Sequence, residues 1–148
     1  MARYSPWRDA AARYPDVQIE RCDIAPVRGA WVQEVSMILI DRSLNRTQRD
    51  STLAHELAHI DLRHHEHTPP DRWFAARFEL EADTLAARRL LDDIDDVAEA
   101  MALHPQDLAS AAEYLEVTPG VLMRRIATLT RAEQAIIVDR LERLDRSC

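Results

Sequence analysis

The chain of 148 residues contains only two glycines and no lysine, so all of its 19 basic residues are arginines. The scarcity of glycine excludes a glycine-rich loop of the kind that holds phosphate groups with backbone amides. The two cysteines, Cys22 and Cys148, lie far apart in the sequence and outside any C-x-x-C pair. We therefore expect reduced thiols, and neither a disulfide framework nor a cysteine metal site.

Long apolar runs are also missing from the sequence. No stretch of about 18 apolar residues is present, which predicts that no helix crosses a membrane. Residues 1–16 lack the apolar core of a signal peptide, so we expect a cytoplasmic protein. The formal net charge is −7, and residues 92–148 contribute −6 of it, with 6 arginines against 12 acidic residues. An acidic segment of this kind is a poor partner for nucleic-acid phosphates.

The pattern of apolar residues predicts a small sheet followed by long helices. Residues 17–24 and 29–41 are rich in apolar and β-branched side chains, and we expect about three mostly antiparallel strands there. Apolar residues at helical spacing predict one helix over about residues 47–64 and a second over about residues 71–91. Together these elements indicate an α+β fold in which the sheet packs on the two helices.

The remainder of the chain is predicted to be helical. Thr118 and Pro119 suit the cap and the first turn of a helix, and the helix before them gives a helix-turn-helix-like segment. We expect a core formed by residues 1–92 and a C-terminal helical segment, residues 93–148, packed on it. At this length the two parts are expected to form one compact domain.

The most informative stretch is TLAHELAHIDLRHH, residues 52–65, because it contains the pattern H-E-x-x-H. On a helix His55 and His59 share one face, so that they can bind one metal ion together. Glu56 would lie beside the ion and can act as a general base toward a water molecule whose pKa zinc lowers to about 7. Two surface histidines near a solvated glutamate give the same pattern, but the apolar surroundings favour a metal site.

Catalytic zinc usually takes three protein ligands and a water molecule, so a third ligand must be found. His65 stands where the metzincin pattern H-E-x-x-H-x-x-G-x-x-H has its third histidine, but Leu62 replaces the glycine of that pattern. The glycine lets the chain turn back to the metal, whereas leucine favours a continued helix. We therefore interpret His64, His65 and His67 as parts of a polar loop near the site.

A second candidate for the third ligand lies on the following predicted helix. Glu79 and Asp83 are four residues apart and share a face, whereas Glu81 is rotated from them by roughly 200° and has Arg77 as a local partner. No arginine lies three or four residues from Glu79 or Asp83, so a metal would relieve their mutual repulsion. The spacing favours a gluzincin-type site, with Glu79 as ligand and Asp83 supporting a ligand histidine. The reverse assignment of these two acids stays open.

The sequence resembles the ImmA/IrrE family of metallopeptidases in three segments, TLAHELAHIDLRH, FELEADTLAARRLL and LASAAEYLEVTPGVLMRRIATL. The resemblance covers about residues 45–129, with Thr118 and Ile126 where the family often has serine and leucine. It implies a zincin-like fold and a zinc-dependent peptidase. It also implies a protein substrate, a helix-turn-helix repressor whose cleavage derepresses a phage, mobile-element or stress operon.

The resemblance also assigns roles to individual residues. The family's zinc ligands match His55, His59 and Glu79, and its catalytic glutamate matches Glu56. We expect one zinc ion, although two histidines and a carboxylate also suit manganese. The resemblance carries over no residue that stabilises the transition state. Three residues of the C-terminal segment are available for that role: Tyr114, His104 and Arg125.

An extended substrate would pair with the edge of the sheet, and residues 31–41 are the candidate edge. Two other functions compete with that of a peptidase. A metal-dependent sensor would bind the repressor without cutting it. A DNA-binding regulator would use the helix-turn-helix-like residues 108–126, but the second helix there has only Arg124 and Arg125 as basic residues. We therefore expect no direct binding to nucleic acid.

Overall fold

The computed structural model describes residues 3–147, and within them the chain forms seven α-helices, three β-strands and two 3₁₀ turns. The elements are α1 (Pro6–Arg13), β1 (Gln18–Cys22), β2 (Gly29–Val32), a 3₁₀ turn (Gln33–Val35), β3 (Met37–Asp41), α2 (Arg46–Asp61), a second 3₁₀ turn (His64–Glu66), α3 (Arg72–Leu90), α4 (Ile94–Leu103), α5 (Leu108–Tyr114), α6 (Pro119–Ala127) and α7 (Arg131–Ser147). The predicted α+β class is confirmed. None of the described helices has both the length and the apolar composition needed to cross a bilayer. Cys148 lies outside the described residues.

The sheet has the strand order β1-β3-β2, so β3 lies in the centre. β2 and β3 pair antiparallel, and the turn between them ends at Ser36, which adopts the left-handed conformation (φ 49°) without being a glycine. β1 and β3 pair in parallel. The three expected strands are therefore present in a mixed sheet. β1 and β3 are parallel because residues 23–28 carry the chain past the position of β3 to the opposite edge of the sheet, where β2 forms. The turn after β2 then returns the chain to the position between β1 and β2.

The strand order corrects the expectation that residues 31–41 form the edge of the sheet. Most of that segment is β3, the central strand, in which Ile38 and Ile40 are completely buried. The strand that borders the H-E-x-x-H helix at an edge is β2, from Gly29 to Val32. The most apolar strand takes the centre because only that position removes both of its sides from water.

α2 begins with a capping box that satisfies its first backbone amides. The side chain of Asn45 accepts a hydrogen bond from the backbone N–H of Gln48 at 2.9 Å, and the Gln48 side chain accepts one from the Asn45 N–H at 3.0 Å. Leu53 and Leu57 of α2 are completely buried in the cluster that includes β3. This packing holds the H-E-x-x-H helix against the sheet.

The end of α2 differs from the prediction. The helix ends at Asp61, three residues before the expected position 64. Arg63 adopts the left-handed conformation with φ 58°, which is commonest for glycine after a helix. The chain therefore turns there into the 3₁₀ turn that starts at His64 and runs back along the site.

α3 packs along α2 through small side chains that let the two backbones approach closely. Ala54 and Ala58 of α2 form one buried cluster with Ala82 and Ala86 of α3. Glu79 lies one turn before Ala82, on the same helix. The alanine contact therefore brings the predicted third ligand beside the H-E-x-x-H residues.

The helices α4 to α7 enclose a second apolar cluster, in which Leu122 is completely buried. The prediction for α6 is confirmed, since the Thr118 side chain caps the helix and Pro119 occupies its first turn. α6 also packs on α3 and so joins the C-terminal segment to the rest. The division into residues 1–92 and 93–148 stays a prediction.

Arg125 lies inside this second cluster and is only 2% exposed. Its Nε donates a hydrogen bond to the Leu91 carbonyl at 2.8 Å, and its other two nitrogens contact the two carboxylate oxygens of Glu133. The hydrogen bonds from Arg125, together with one from the Thr130 backbone N–H, lower the pKa of Glu133 to about 2. Arg125 thus links the end of α3 to α6 and α7.

Replacing Arg125 with alanine is expected to lower the free energy of unfolding by about 3–5 kcal/mol, because the truncation leaves Glu133 without its main cation. Unfolding in urea measures this difference. Arg140→Ala on the exposed face of α7 is the matched control and should change the free energy by less than about 0.5 kcal/mol. Equal stability of the two variants would show that Arg125 has no structural role.

Candidate metal centre and active-site cleft

The three side chains of H-E-x-x-H point to two different sides of α2. His55 and His59 face the same side, and their Nε2 atoms lie 3.0 Å apart. Glu56 points toward β2 and is 7% exposed. One turn of helix therefore presents two imidazole nitrogens to a single point and keeps a buried carboxylate beside them.

α3 brings the carboxylate of Glu79 to the same point. Its Oε2 lies 2.9 Å from Nε2 of His55, and its Oε1 lies 3.1 Å from Nε2 of His59. One donor atom from each side chain is close enough to the other two to share a metal ion. The structure therefore brings together the three residues that the sequence predicted as ligands.

The two alternative ligands, Asp83 and His65, lie outside this group. Oδ1 of Asp83 is 2.7 Å from Nδ1 of His55, on the side of the ring opposite to Glu79. This position suits the support of a ligand histidine and argues against Asp83 as a ligand. The ring of His65 packs edge-on against Trp31, with 6.1 Å between the ring centroids. The metzincin-like alternative therefore has no support in the geometry.

The hydrogen bond at Nδ1 determines what the other nitrogen of His55 presents to the site. The Asp83 carboxylate accepts, so Nδ1 carries a proton, and in the neutral form of the ring that binds a metal Nε2 has a lone pair facing Glu79. This lone pair and the Glu79 carboxylate together attract a cation. In the protein without metal, burial lowers the pKa of His55, but its hydrogen bonds to Asp83 and Glu79 raise it to about 10. The hydrogen bonds from His55 and His59 lower the pKa of Glu79.

The donor set fits a zinc ion. Two imidazole nitrogens and one carboxylate oxygen form a usual ligand set of catalytic zinc, which keeps the fourth position open. The two Nε2 atoms lie 3.0 Å apart, with one Glu79 oxygen 2.9 Å from that of His55 and the other 3.1 Å from that of His59. Zinc bonds of about 2.0–2.1 Å in a tetrahedron place ligand atoms roughly 3.3 Å apart, so a small outward movement completes the site.

Glu56 lies where β2 approaches α2 closely at Gly29. Burial raises the pKa of its carboxyl, the two neighbouring histidines lower it, and the Trp31 backbone N–H is directed at it. A Cβ atom at Gly29 would lie 3.3 Å from Oε1 of Glu56 and 2.5 Å from Cγ2 of Thr52. The position of this carboxylate beside the edge strand therefore depends on a glycine at position 29.

Gly29→Ala is expected to lower the free energy of unfolding by about 1–3 kcal/mol, because the new methyl group overlaps a buried side chain. Thr52→Ser removes the Cγ2 atom, so the double variant should recover most of the loss in urea unfolding. Gly120→Ala in α6, where the nearest atom is Thr118 Oγ1 at 3.9 Å, is the matched control and should not destabilise. A Gly29→Ala variant as stable as the parent protein would refute the close approach.

The metal group opens into a cleft of about 850 Å³ between β2, α2, α3 and α6. Two arginines line the cleft, Arg28 just before β2 and Arg124 on α6. The Nε atom of Arg124 is buried and has no hydrogen-bond partner among the described residues. Met123 adds an exposed apolar surface from α6. The cleft thus combines the metal group with cationic and apolar walls.

None of the three residues predicted as possible transition-state stabilisers lines this cleft. Arg125 is held inside the C-terminal cluster, and Tyr114 and His104 pack against each other with ring centroids 5.8 Å apart. Neighbours on a helix point about 100° apart, so Arg124 faces the cleft and Arg125 does not. In the sequence, Arg124 was a candidate only for DNA binding, and no spacing indicated Arg28.

The position of α6 also bears on the DNA-binding alternative. Five residues of this helix line the cleft: Gly120, Val121, Met123, Arg124 and Ala127. A recognition helix must be free to enter the major groove. α6 instead forms a wall of the cleft and packs on α3, and the absence of DNA binding stays a prediction.

The sheet, the H-E-x-x-H helix and the glutamate on the following helix together form a candidate metal site with the arrangement of a zincin. The family model of the IrrE N-terminal-like domain, peptidase M78, matches residues 12–127, well over half of the chain. The protein therefore belongs to this peptidase family, and the resemblance found in the sequence is confirmed. No curated protein and no solved structure gives a match.

Proposed function

We propose that the protein is a zinc-dependent endopeptidase that cleaves a helix-turn-helix transcriptional repressor. The observation that carries this proposal is the convergence of His55, His59 and Glu79 in an open cleft, with Glu56 beside them. Family membership supports peptide hydrolysis as the reaction. A repressor substrate would place the activity in the cytoplasm of a bacterial cell and in the control of a phage, mobile-element or stress operon.

His55, His59 and Glu79 would hold the zinc ion, which supplies Lewis acidity to the scissile carbonyl group and to a water molecule. Glu56 accepts the proton of the attacking water and delivers it to the leaving amine. Burial raises the pKa of Glu56, and a higher pKa makes the carboxylate a stronger base for this proton.

The edge of β2 supplies backbone groups for an extended substrate. The N–H of Asp41 donates to the Arg28 carbonyl at 2.8 Å, so Arg28 faces β3. Residues of an antiparallel strand alternate in the side to which their backbone groups point. Gly29 and Trp31 therefore direct theirs to the outer edge of β2. The Trp31 N–H faces Glu56 there, and the other groups would pair with the substrate segment as an added strand.

The test is incubation of the zinc-loaded protein with the repressor encoded beside its gene, read by intact mass. We expect one cut that disappears with a chelator and in Glu56→Gln. Glu142→Gln, at an exposed position on α7, is the matched control and should cut like the parent protein. A folded, zinc-loaded protein that leaves the repressor intact would contradict the proposed peptidase activity.

A second candidate function is a metal-dependent sensor that binds the repressor without cutting it. In its favour, the described residues that line the cleft include no tyrosine, and no histidine besides His55 and His59. Glu56→Gln separates the two functions in cells. If this variant still derepresses the operon, the sensor is correct. If it binds the repressor but leaves the operon silent, the peptidase is correct.

A further inference from the structure

The ring of His59 has a second partner on the side that faces away from Glu79. Its Nδ1 atom lies 2.8 Å from Nδ1 of His64. Nε2 of His64 in turn lies 3.2 Å from Oε2 of Glu81, and the other oxygen of Glu81 lies 3.2 Å from Nε of Arg77. A continuous series of polar contacts therefore runs from a predicted metal ligand to the outer face of α3.

His64 is held in a defined position by three separate features. The left-handed conformation of Arg63 turns the chain after α2, so that His64 points back toward the helix it follows. Its ring stacks on Phe78 of α3, with the centroids 4.3 Å apart and the planes within 5° of parallel. The residue is 9% exposed. A buried, stacked imidazole of this kind is a fixed partner and not a mobile loop side chain.

We infer that His64 and Glu81 are positioning residues that orient His59 as a metal ligand. A neutral imidazole has one donor and one acceptor nitrogen. If Nε2 of His59 binds the ion, its Nδ1 carries the proton, and Nδ1 of His64 must accept it. The proton of His64 then lies on Nε2 and is donated to Glu81. Each nitrogen in the series then acts either as a donor or as an acceptor, and this assignment fixes the tautomers of both rings.

The two ligand histidines are therefore oriented by different hydrogen-bond partners. His55 donates directly to a carboxylate, that of Asp83, at 2.7 Å. His59 reaches its carboxylate, that of Glu81, only through His64. Outer hydrogen bonds of this kind orient a ligand ring and raise its basicity, and their loss typically weakens metal binding by about 10–100-fold. Glu81 was expected to point away from the site, and this contact gives it a role there.

The test is the zinc affinity of the full-length protein, measured by competition with a chromogenic chelator. His64→Leu should weaken binding by about 10–100-fold. His64→Asn should restore much of the affinity, because the amide oxygen lies near the former Nδ1 position and accepts the same hydrogen bond. His67→Leu, the same change at an exposed position of the same loop, is the matched control and should leave the affinity unchanged.

Glu81→Leu guards against a folding defect at the buried position, because the side chain of Glu81 is 42% exposed and that of His64 only 8%. It should weaken zinc binding as well, and its effect should not add to that of His64→Leu, since both changes break one series. Nitrogen-15 spectra of the zinc-loaded protein should show His64 protonated at Nε2. Unchanged affinity in both folded variants, additive effects, or His64 protonated at Nδ1 would each overturn the inference.

This inference rests on the zinc site of the proposed function. The same measurement of zinc affinity distinguishes a failure of the site from a failure of the inference. A parent protein that binds no zinc would refute the site itself. A parent protein that binds zinc, with His64→Leu binding it equally well, would refute only the role of His64 and Glu81.

Discussion

Replacing Glu79 with alanine is expected to weaken zinc binding by more than about 100-fold, beyond the loss that follows from removing an outer hydrogen bond. The reason is that the carboxylate of Glu79 contacts both Nε2 atoms, at 2.9 Å and 3.1 Å. The remaining pair of histidines would hold the ion with one ligand fewer than a catalytic zinc site requires. Competition with a chelator measures the affinity, and peptidase activity should fall with it.

Glu142→Ala controls for the loss of one negative charge, because Glu142 is exposed on α7. Its zinc affinity should equal that of the parent protein. The side chain of Glu79 is 61% exposed, so its removal should leave the fold intact. If Glu79→Ala binds zinc as tightly as Glu142→Ala, the third ligand lies elsewhere and the site is not of the gluzincin type.

Glu56→Gln is expected to lower the rate of peptide hydrolysis by about 10²–10⁴-fold, the usual contribution of a general acid–base group. The amide has the same shape as the carboxyl but cannot take up a proton from water. Zinc affinity should stay within a few-fold of that of the parent protein, because Glu56 points toward β2 and not at the group formed by His55, His59 and Glu79. Single-turnover cleavage of the repressor measures the rate.

The stability of Glu56→Gln provides the control for this second prediction. Burial raises the pKa of the Glu56 carboxyl, so replacing it with a neutral amide should not destabilise the fold in urea unfolding. A rate that falls together with zinc affinity or stability would show that Glu56 has a structural role. A rate close to that of the parent protein would exclude Glu56 as the base.

The ligand residues could be predicted because helical spacing is a local property. His55 and His59 share a face on any helix, and Glu79 and Asp83 share one on the next helix. The absence of an arginine near either acid favoured these two over Glu81, and the geometry brings the first of them to the histidines.

The role of His64 could not be predicted, because it depends on a conformation that its sequence does not favour. Leu62, the cap residue after α2, keeps a right-handed helical conformation, but Arg63 adopts the left-handed conformation one residue later. Arginine is not a common residue in that conformation. The histidine that returns to the site is therefore His64, whereas the metzincin pattern has its third histidine at the position of His65.

The order of the strands in the sheet also could not be predicted from local sequence patterns. Alternation in residues 29–41 predicts strands but not which of them is central, since pairing joins residues that are distant in the chain. Local sequence patterns also could not predict which side of α6 faces the cleft. Arg124 and Arg125 are neighbours, and only the packing of α6 on α3 directs one to the cleft and the other into the core.

The central claim is that His55, His59 and Glu79 hold one zinc ion, and X-ray absorption at the zinc edge tests it most directly. The account predicts a one-to-one complex with only nitrogen and oxygen neighbours at about 2.0–2.2 Å, and with the outer-shell pattern of two imidazoles. In Glu79→Ala the zinc ion should lose the carboxylate oxygen from its set of neighbours. A sulfur neighbour at about 2.3 Å, or a shell of three imidazoles, would contradict the account.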